Sequence, residues 1–336
     1  MLMIAVLLAA GCGSRNGKET GDGVSGDPIT ATGSDENLRT VSFLPYWVTT
    51  VQFAGYYVAA EKGFYARHRI HLNILPYRST VTPDSLLRQG KADFAALWLV
   101  NAIRMKASGT DLVNIAQLSS RSSLMLITKK KSGIAEPEQM NGKRAGIWSG
   151  FEMQPRAFFK KYHLDVEIVP IGSTNTLFLL DGVEITNANW FDEYHSIINA
   201  GYNPDELNTF FFADYGLNFL EDGIYCMNGL LQKDPGLCRD FVEATLEGWE
   251  YAFSHPEETL EIVKRYAIAA RQPVNRSHQQ WMLDRYRDLY LPKGKTKPAT
   301  GLAQQDYDFA CNVLKESEQI SSMPAFADFW KPVIHP

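Results

Sequence analysis

The chain has 336 residues, 45% of them apolar, with 33 basic against 38 acidic side chains and a net charge of −5. Because the two signs are interspersed rather than gathered in a basic stripe, this balance argues against nucleic acid as a partner. From about residue 39 onward the chain is rich in apolar and aromatic side chains and long enough for two domains with separate cores.

The opening run MLMIAVLLAAG is shorter than the roughly 20 apolar residues of a membrane span and ends in small residues before Cys12. It reads as a lipoprotein signal peptide over residues 1–12, with Cys12 carrying the lipid that anchors the chain to a membrane from the extracytoplasmic side. Residues 13–38 are mostly Gly, Ser, Thr and charged residues and read as a disordered tether. The tether holds Gly21, Gly23 and Gly26 in dinucleotide-fingerprint spacing, but no strand precedes them and no helix follows, so they are set aside.

From Thr40 short apolar runs alternate with stretches of helical period, the pattern of an α/β protein. Strands are predicted at 41–46, 70–76, 92–98, 112–118 and 123–130, with helices at 54–63, 85–90 and 100–109, all in a first lobe. A second cycle follows, with strands at 143–148, 166–171 and 183–189 and a helix at 153–162. Leu86–Trp98 and Leu177–Trp190 share a plan of helix end, Gly, strand and Trp, as a duplicated lobe would. After a strand at 222–231, helices are expected at 237–254, 256–268, 277–290 and 303–317. Two crossings, near 124–128 and 223–227, would form a two-segment hinge between lobe 1 (39–125 plus 225–336) and lobe 2 (126–224). The run Lys129–Lys131 reads as a solvated turn. Cys226 could pair with Cys238 or Cys311, or all three could be buried free thiols.

In open α/β sheets ligands sit beyond the carboxyl ends of strands. Those ends carry aromatic and amide side chains: Tyr46, Trp47 and Gln52, Trp98 with Asn101, Trp148 with Ser149, Asn189 with Trp190, and Asp214 with Tyr215. Aromatic faces stack a flat ring and amides read its edge; Asp192 and Glu193 would pair with amino groups. No catalytic, cofactor or metal site is expected, since nucleophile-elbow and HExxH motifs are absent, and Gly294-Lys295-Thr296 lacks the glycine a phosphate loop needs. His68 and His71 read as a solvated edge.

The segments Gln52-Phe53-Ala54-Gly55-Tyr56-Tyr57, Glu61-Lys62-Gly63-Phe64-Tyr65, Gly90-Lys91-Ala92-Asp93-Phe94, Gly142 to Trp148 and Glu221-Asp222-Gly223 resemble the thiamine-pyrimidine-synthase-like family of periplasmic binding proteins. The resemblance implies a type II periplasmic-binding fold and a monomer that captures a thiamine pyrimidine precursor and delivers it to the permease and ATPase of an ABC importer. It assigns ring stacking to Trp47 and a carboxylate contact to Glu193. Phe53 and Thr49-Thr50 stand where transport members usually have His and Pro-Asn, so a different solute, such as a flavin or a sulfonate, is the alternative, with Ser149-Gly150 and Ser173-Thr174 as the anion-binding candidates; a sensor without a transporter is another. The same family contains enzymes that make the pyrimidine from pyridoxal phosphate and a histidine of their own. Their lysine and histidine fall on Leu97 and Asn101 here, which cannot do that chemistry.

Overall fold

The computed structural model describes residues 29–30, 38–172, 174–291, 294–295 and 297–334. Cys12, most of the 13–38 tether and Ser173 lie outside the described residues. Eleven strands are found among those described: β1 (Ile29–Thr30), β2 (Arg39–Leu44), β3 (Ile70–Ile74), β4 (Phe94–Leu97), β5 (Leu112–Gln117), β6 (Leu124–Lys129), β7 (Arg144–Trp148), β8 (Glu167–Ile171), β9 (Ile185–Asn189), β10 (Leu207–Phe211) and β11 (Gly223–Met227). They form one sheet in the order β1-β3-β2-β4-β11-β5 and another in the order β10-β6-β9-β7-β8. Ile29–Thr30, expected in the tether, pairs antiparallel with β3.

The two sheets repeat one plan. In each, the first strand of a cycle lies between its two successors, parallel to both: β2 between β3 and β4, β7 between β8 and β9. A returning antiparallel strand then flanks the third, β11 beside β4 and β6 beside β9. β6 therefore belongs to the second sheet, a correction to its expected place in the first. The chain passes between sheets at 118–123 and at 212–222, a few residues before each expected crossing.

Lys129 is another correction. It ends β6 only 3% exposed, its Nζ lying over the rings of Phe178 and Tyr202 and donating to the carbonyls of Phe178 and Leu179 and to Asp181. Only Lys130 and Lys131 of that run are solvated. Cys226, Cys238 and Cys311 are buried free thiols.

Helices 54–61 and 235–254 cross where Gly55 meets Gly248: a Cβ on Gly248 would lie 2.0 Å from the Gly55 carbonyl oxygen, and one on Gly55 would strike the fully buried Trp249 ring. This close approach fixes the start of helix 54–61, and with it the loop 45–53 that leads into the cleft.

Candidate functional site

Loop 45–53 leaves β2 and is pinned from the C-terminal part of the chain. The Thr49 and Val51 amides donate to the side-chain oxygens of Gln272 and Gln279, each at 2.8 Å. Thr50 caps the short turn 51–53 by accepting the Gln52 amide. The loop thereby presents Trp47 and Gln52 toward the second lobe.

There Trp47 meets Trp148 edge-on at 5.8 Å, and on its own side Tyr77, from the loop after β3, at 5.3 Å. Trp148 ends β7 and stacks on Phe151 at 5.0 Å; Phe151 in turn meets Trp98, at the end of β4, edge-on at 5.5 Å. Rings from both lobes thus enclose a cavity of about 240 Å³, whose polar end is made by Gln52, Asn189, Asp192 and Glu193. Edge and face contacts of this kind stack a planar guest with little loss of rotamer freedom, because each ring is already held by its neighbour.

The polar end is rich in acceptors. Glu193 starts helix 193–199 and takes the Asn189 amide and side-chain N–H on one oxygen, at 2.8 and 3.2 Å. Burial, aided by the Asp192 charge, pushes its pKa up to about 7. Asp192 accepts from His278 Nε2 at 3.0 Å, and His278 Nδ1 lies 2.9 Å from Nδ1 of His195. Since His278 sits on helix 276–290, this contact ties the second lobe to the C-terminal helices. Trp281 of the same helix donates to the Trp190 carbonyl at 2.9 Å, and Arg285 lies over both Trp190 and Trp281.

Behind the site, the crossing segment carries Glu221 and Asp222, both nearly fully buried. Glu221 accepts from Ser122 Oγ and the Ser123 amide on one oxygen, while its other oxygen has no partner among the described residues; burial raises its pKa to about 8. Asp222 accepts from Gln52 Nε2 at 3.2 Å and from Tyr290 Oη at 3.1 Å, and burial raises it to about 6.

Of the sequence-predicted residues, Tyr46, Trp47, Gln52, Trp98, Trp148, Asn189, Asp192 and Glu193 are brought together on this cavity. Asn101 lines an adjoining polar cavity of about 350 Å³ with Arg104 and Gln154, and donates to Tyr46 Oη at 2.6 Å. Four others do not line the aromatic cavity. Ser149 is exposed, its amide spent on the Ile171 carbonyl. Trp190 follows Asn189 and points the opposite way, as successive residues of an extended chain do, packing on Phe211 and Arg285. Asp214 and Tyr215 follow edge strand β10, which β6 separates from β9; Asp214 pairs with Arg121 at the surface and Tyr215 packs on Phe158 and Tyr162. Tyr77, Phe151 and Phe191 complete the cavity; Tyr77 and Phe151 stand in loops and Phe191 in the turn that the Asp192 amide closes on the Asn189 carbonyl, none of which a periodicity marks. His68, expected at a solvated edge, is half-buried and hydrogen-bonded to Glu247 at 2.8 Å, which also pairs with Arg67; with Asp240 and Glu243 His68 makes a metal-ligand-like group, but Arg239 lies against both of these carboxylates.

The family described as NMT1/THI5 like matches residues 50–259. Riboflavin-binding protein RibY of Chloroflexus aurantiacus is 25% identical over 255 residues, 72% of this chain and 70% of that protein. 4-amino-5-hydroxymethyl-2-methylpyrimidine phosphate synthase of Legionella pneumophila is 25% identical over 250 residues, 70% of this chain and 76% of that protein. Among solved structures, the periplasmic aliphatic sulphonate binding protein SsuA from Escherichia coli superposes with a TM-score of 0.68 at 12% identity, over 87% of this chain and 92% of that one. At that identity the likeness is one of fold: two α/β lobes of the periplasmic-binding type.

Proposed function

The chain belongs to the NMT1/THI5-like family, and within it we propose that this protein is an extracytoplasmic solute-binding component of an ABC importer, taking a small amino-substituted heteroaromatic, foremost a thiamine pyrimidine precursor. The observation that carries the reading is the aromatic cage contributed by both lobes, closed at one end by two carboxylates and two amides. Such a site is completed only when the lobes meet, so a bound ring shifts the population toward the closed form, the form a permease can recognise. The lipid on Cys12, the monomeric state and the permease and ATPase partners belong to this same proposal.

Two features favour it over the family's alternatives. Asp192 and Glu193 would repel a sulfonate, and a planar cage offers an aliphatic anion little. The residues lining the cage include no lysine and no histidine, which the synthase chemistry requires; Leu97 is fully buried and Asn101 is turned toward Tyr46. A flavin is the second reading: the adjoining cavity with Asn101, Arg104 and Gln154 would take a hydroxylated tail, and RibY is a relative.

A thermal-shift screen with aminopyrimidines, thiamine, riboflavin, pyridoxal phosphate and alkanesulfonates tests this. A solute at 100 times its Kd adds about 2.7 kcal/mol of stability. A shift with aminopyrimidines alone supports the first reading, and one with riboflavin alone the second. A shift with sulfonates alone, or a lysine adduct with pyridoxal phosphate, defeats both.

A further inference from the structure

The polar atoms of the cavity divide into those already engaged and those left for a guest. Asn189 is spent at both ends: its oxygen accepts from Ser123 Oγ at 3.1 Å and its nitrogen donates to Glu193. One oxygen of Asp192 is held by His278, and one of Glu193 by Asn189. Gln52 is 5% exposed and spends its nitrogen on Asp222 Oδ1. Among the described residues no group donates to its carbonyl oxygen. An ionised carboxylate only accepts, so Asp222 fixes which end of the Gln52 amide is spent and which is free. Asp222 is itself fixed, since Tyr290 donates to its other oxygen.

We propose that Asp222 is a positioning residue for ligand selection: by accepting the Gln52 amide nitrogen it leaves the Gln52 carbonyl to the cavity, so that this edge selects heteroaromatics bearing an exocyclic amino donor. The inference rests on the solute-binding reading above and deepens it. Gln52 then acts with the free oxygen of Asp192, and with that of Glu193 when it is ionised, as a row of acceptors. An oxo group in the amino position would set oxygen against oxygen and leave the buried Gln52 carbonyl unpaired, a loss that neighbouring solvent cannot make good.

The test compares 4-amino-5-hydroxymethyl-2-methylpyrimidine with its 4-oxo counterpart, by calorimetry, on the wild type and on Asp222→Asn. Asn tolerates the left-handed backbone at this position (φ +49°) and keeps an acceptor for Tyr290, so the variant is expected to fold. Its amide can donate to Gln52, which frees that side chain to turn its nitrogen to the cavity. The wild type should prefer the amino compound by about tenfold or more, and Asp222→Asn should cut that ratio to about threefold or less. An undiminished ratio in a folded Asp222→Asn protein overturns the proposal. A readout without ligand stands beside it: the side-chain amide resonances of Gln52 should move as Asp222 titrates near pH 6 and should stop doing so in the variant. Amide resonances that ignore both the titration and the substitution overturn it as well. If the wild type binds neither pyrimidine, the solute reading fails while the resonance experiment still decides whether Asp222 holds Gln52.

Discussion

Replacing Glu221 by Gln should remove most of the pH dependence of stability that the wild type carries between pH 7 and 8. Glu221 is 2% exposed, one carboxyl oxygen serves Ser122 and Ser123, and the other touches no donor among the described residues, so ionisation inside the fold is unfavourable and its pKa rises from 4.5 to about 8. A carboxyl raised in the folded state contributes fully below 4.5, and its contribution is lost as pH rises through 8, because the unfolded chain ionises first. Each unit of that interval is worth about 1.4 kcal/mol, tapering near the folded pKa. Asp222, raised to about 6, acts in the same direction but has largely finished by pH 7, whereas Glu193, raised to about 7, still adds a smaller slope of the same sign above it. The window from pH 7 to 8 is therefore dominated by Glu221. Urea unfolding should show the wild type losing about 1 kcal/mol across it, and Glu221→Gln keeping only the smaller part that Glu193 carries, since the amide oxygen still serves both serines. Equal slopes in the two proteins would refute the assignment of this titration to Glu221.

Other perturbations probe the cage, the lobe contact and the packing that positions them. Trp47→Ala should weaken solute binding by about 1–3 kcal/mol by calorimetry while the unfolding midpoint of the free protein barely moves, because the ring lines a cleft rather than a core; unchanged affinity would remove Trp47 from the site. His278→Ala deletes the contact with Asp192 that joins the lobes away from their crossings, so small-angle scattering of the free protein should show a larger radius of gyration, and identical curves would mean that contact does not bias closure. Gly248→Ala sets a Cβ 2.0 Å from the Gly55 carbonyl oxygen, so helices 54–61 and 235–254 must separate, at about 1–3 kcal/mol in urea unfolding; an unchanged midpoint would show that the crossing yields freely.

The fold was legible wherever a single local pattern forced a single outcome. Alternation at 70–74, the small-residue strands 94–97 and 185–189 and the periodic C-terminal helices all stand within a few residues of their expected places. What local pattern could not supply was membership. The run 124–129 is apolar enough for either sheet, and only the pairing of Leu124–Thr128 with β9 assigns it to the second. β10 passed unread because LNTFF is short and follows a turn rich in Asn, Pro and acidic residues. Lys129 was misread because composition treats three lysines alike, whereas the fold buries one of them, sets its ammonium over two rings and satisfies it with carbonyls and Asp181.

The site divides along the same line. Residues at the ends of central strands could be placed from topology alone, and Trp98, Trp148, Asn189 and Glu193 reach one cavity because β4, β7 and β9 end on it. Trp190 shows the limit of that rule: being at a strand end fixes the neighbourhood but not the face, and the alternation that sends Asn189 inward sends Trp190 to Arg285. Gln52 shows the next limit. Its presence in the site was legible, but the end of its amide left for a guest depends on Asp222, 170 residues further along the chain. Specificity in such a cleft thus resides less in the residues touching the ligand than in the buried groups that decide how those residues are turned, and these are visible only once the two lobes and their crossings are assembled.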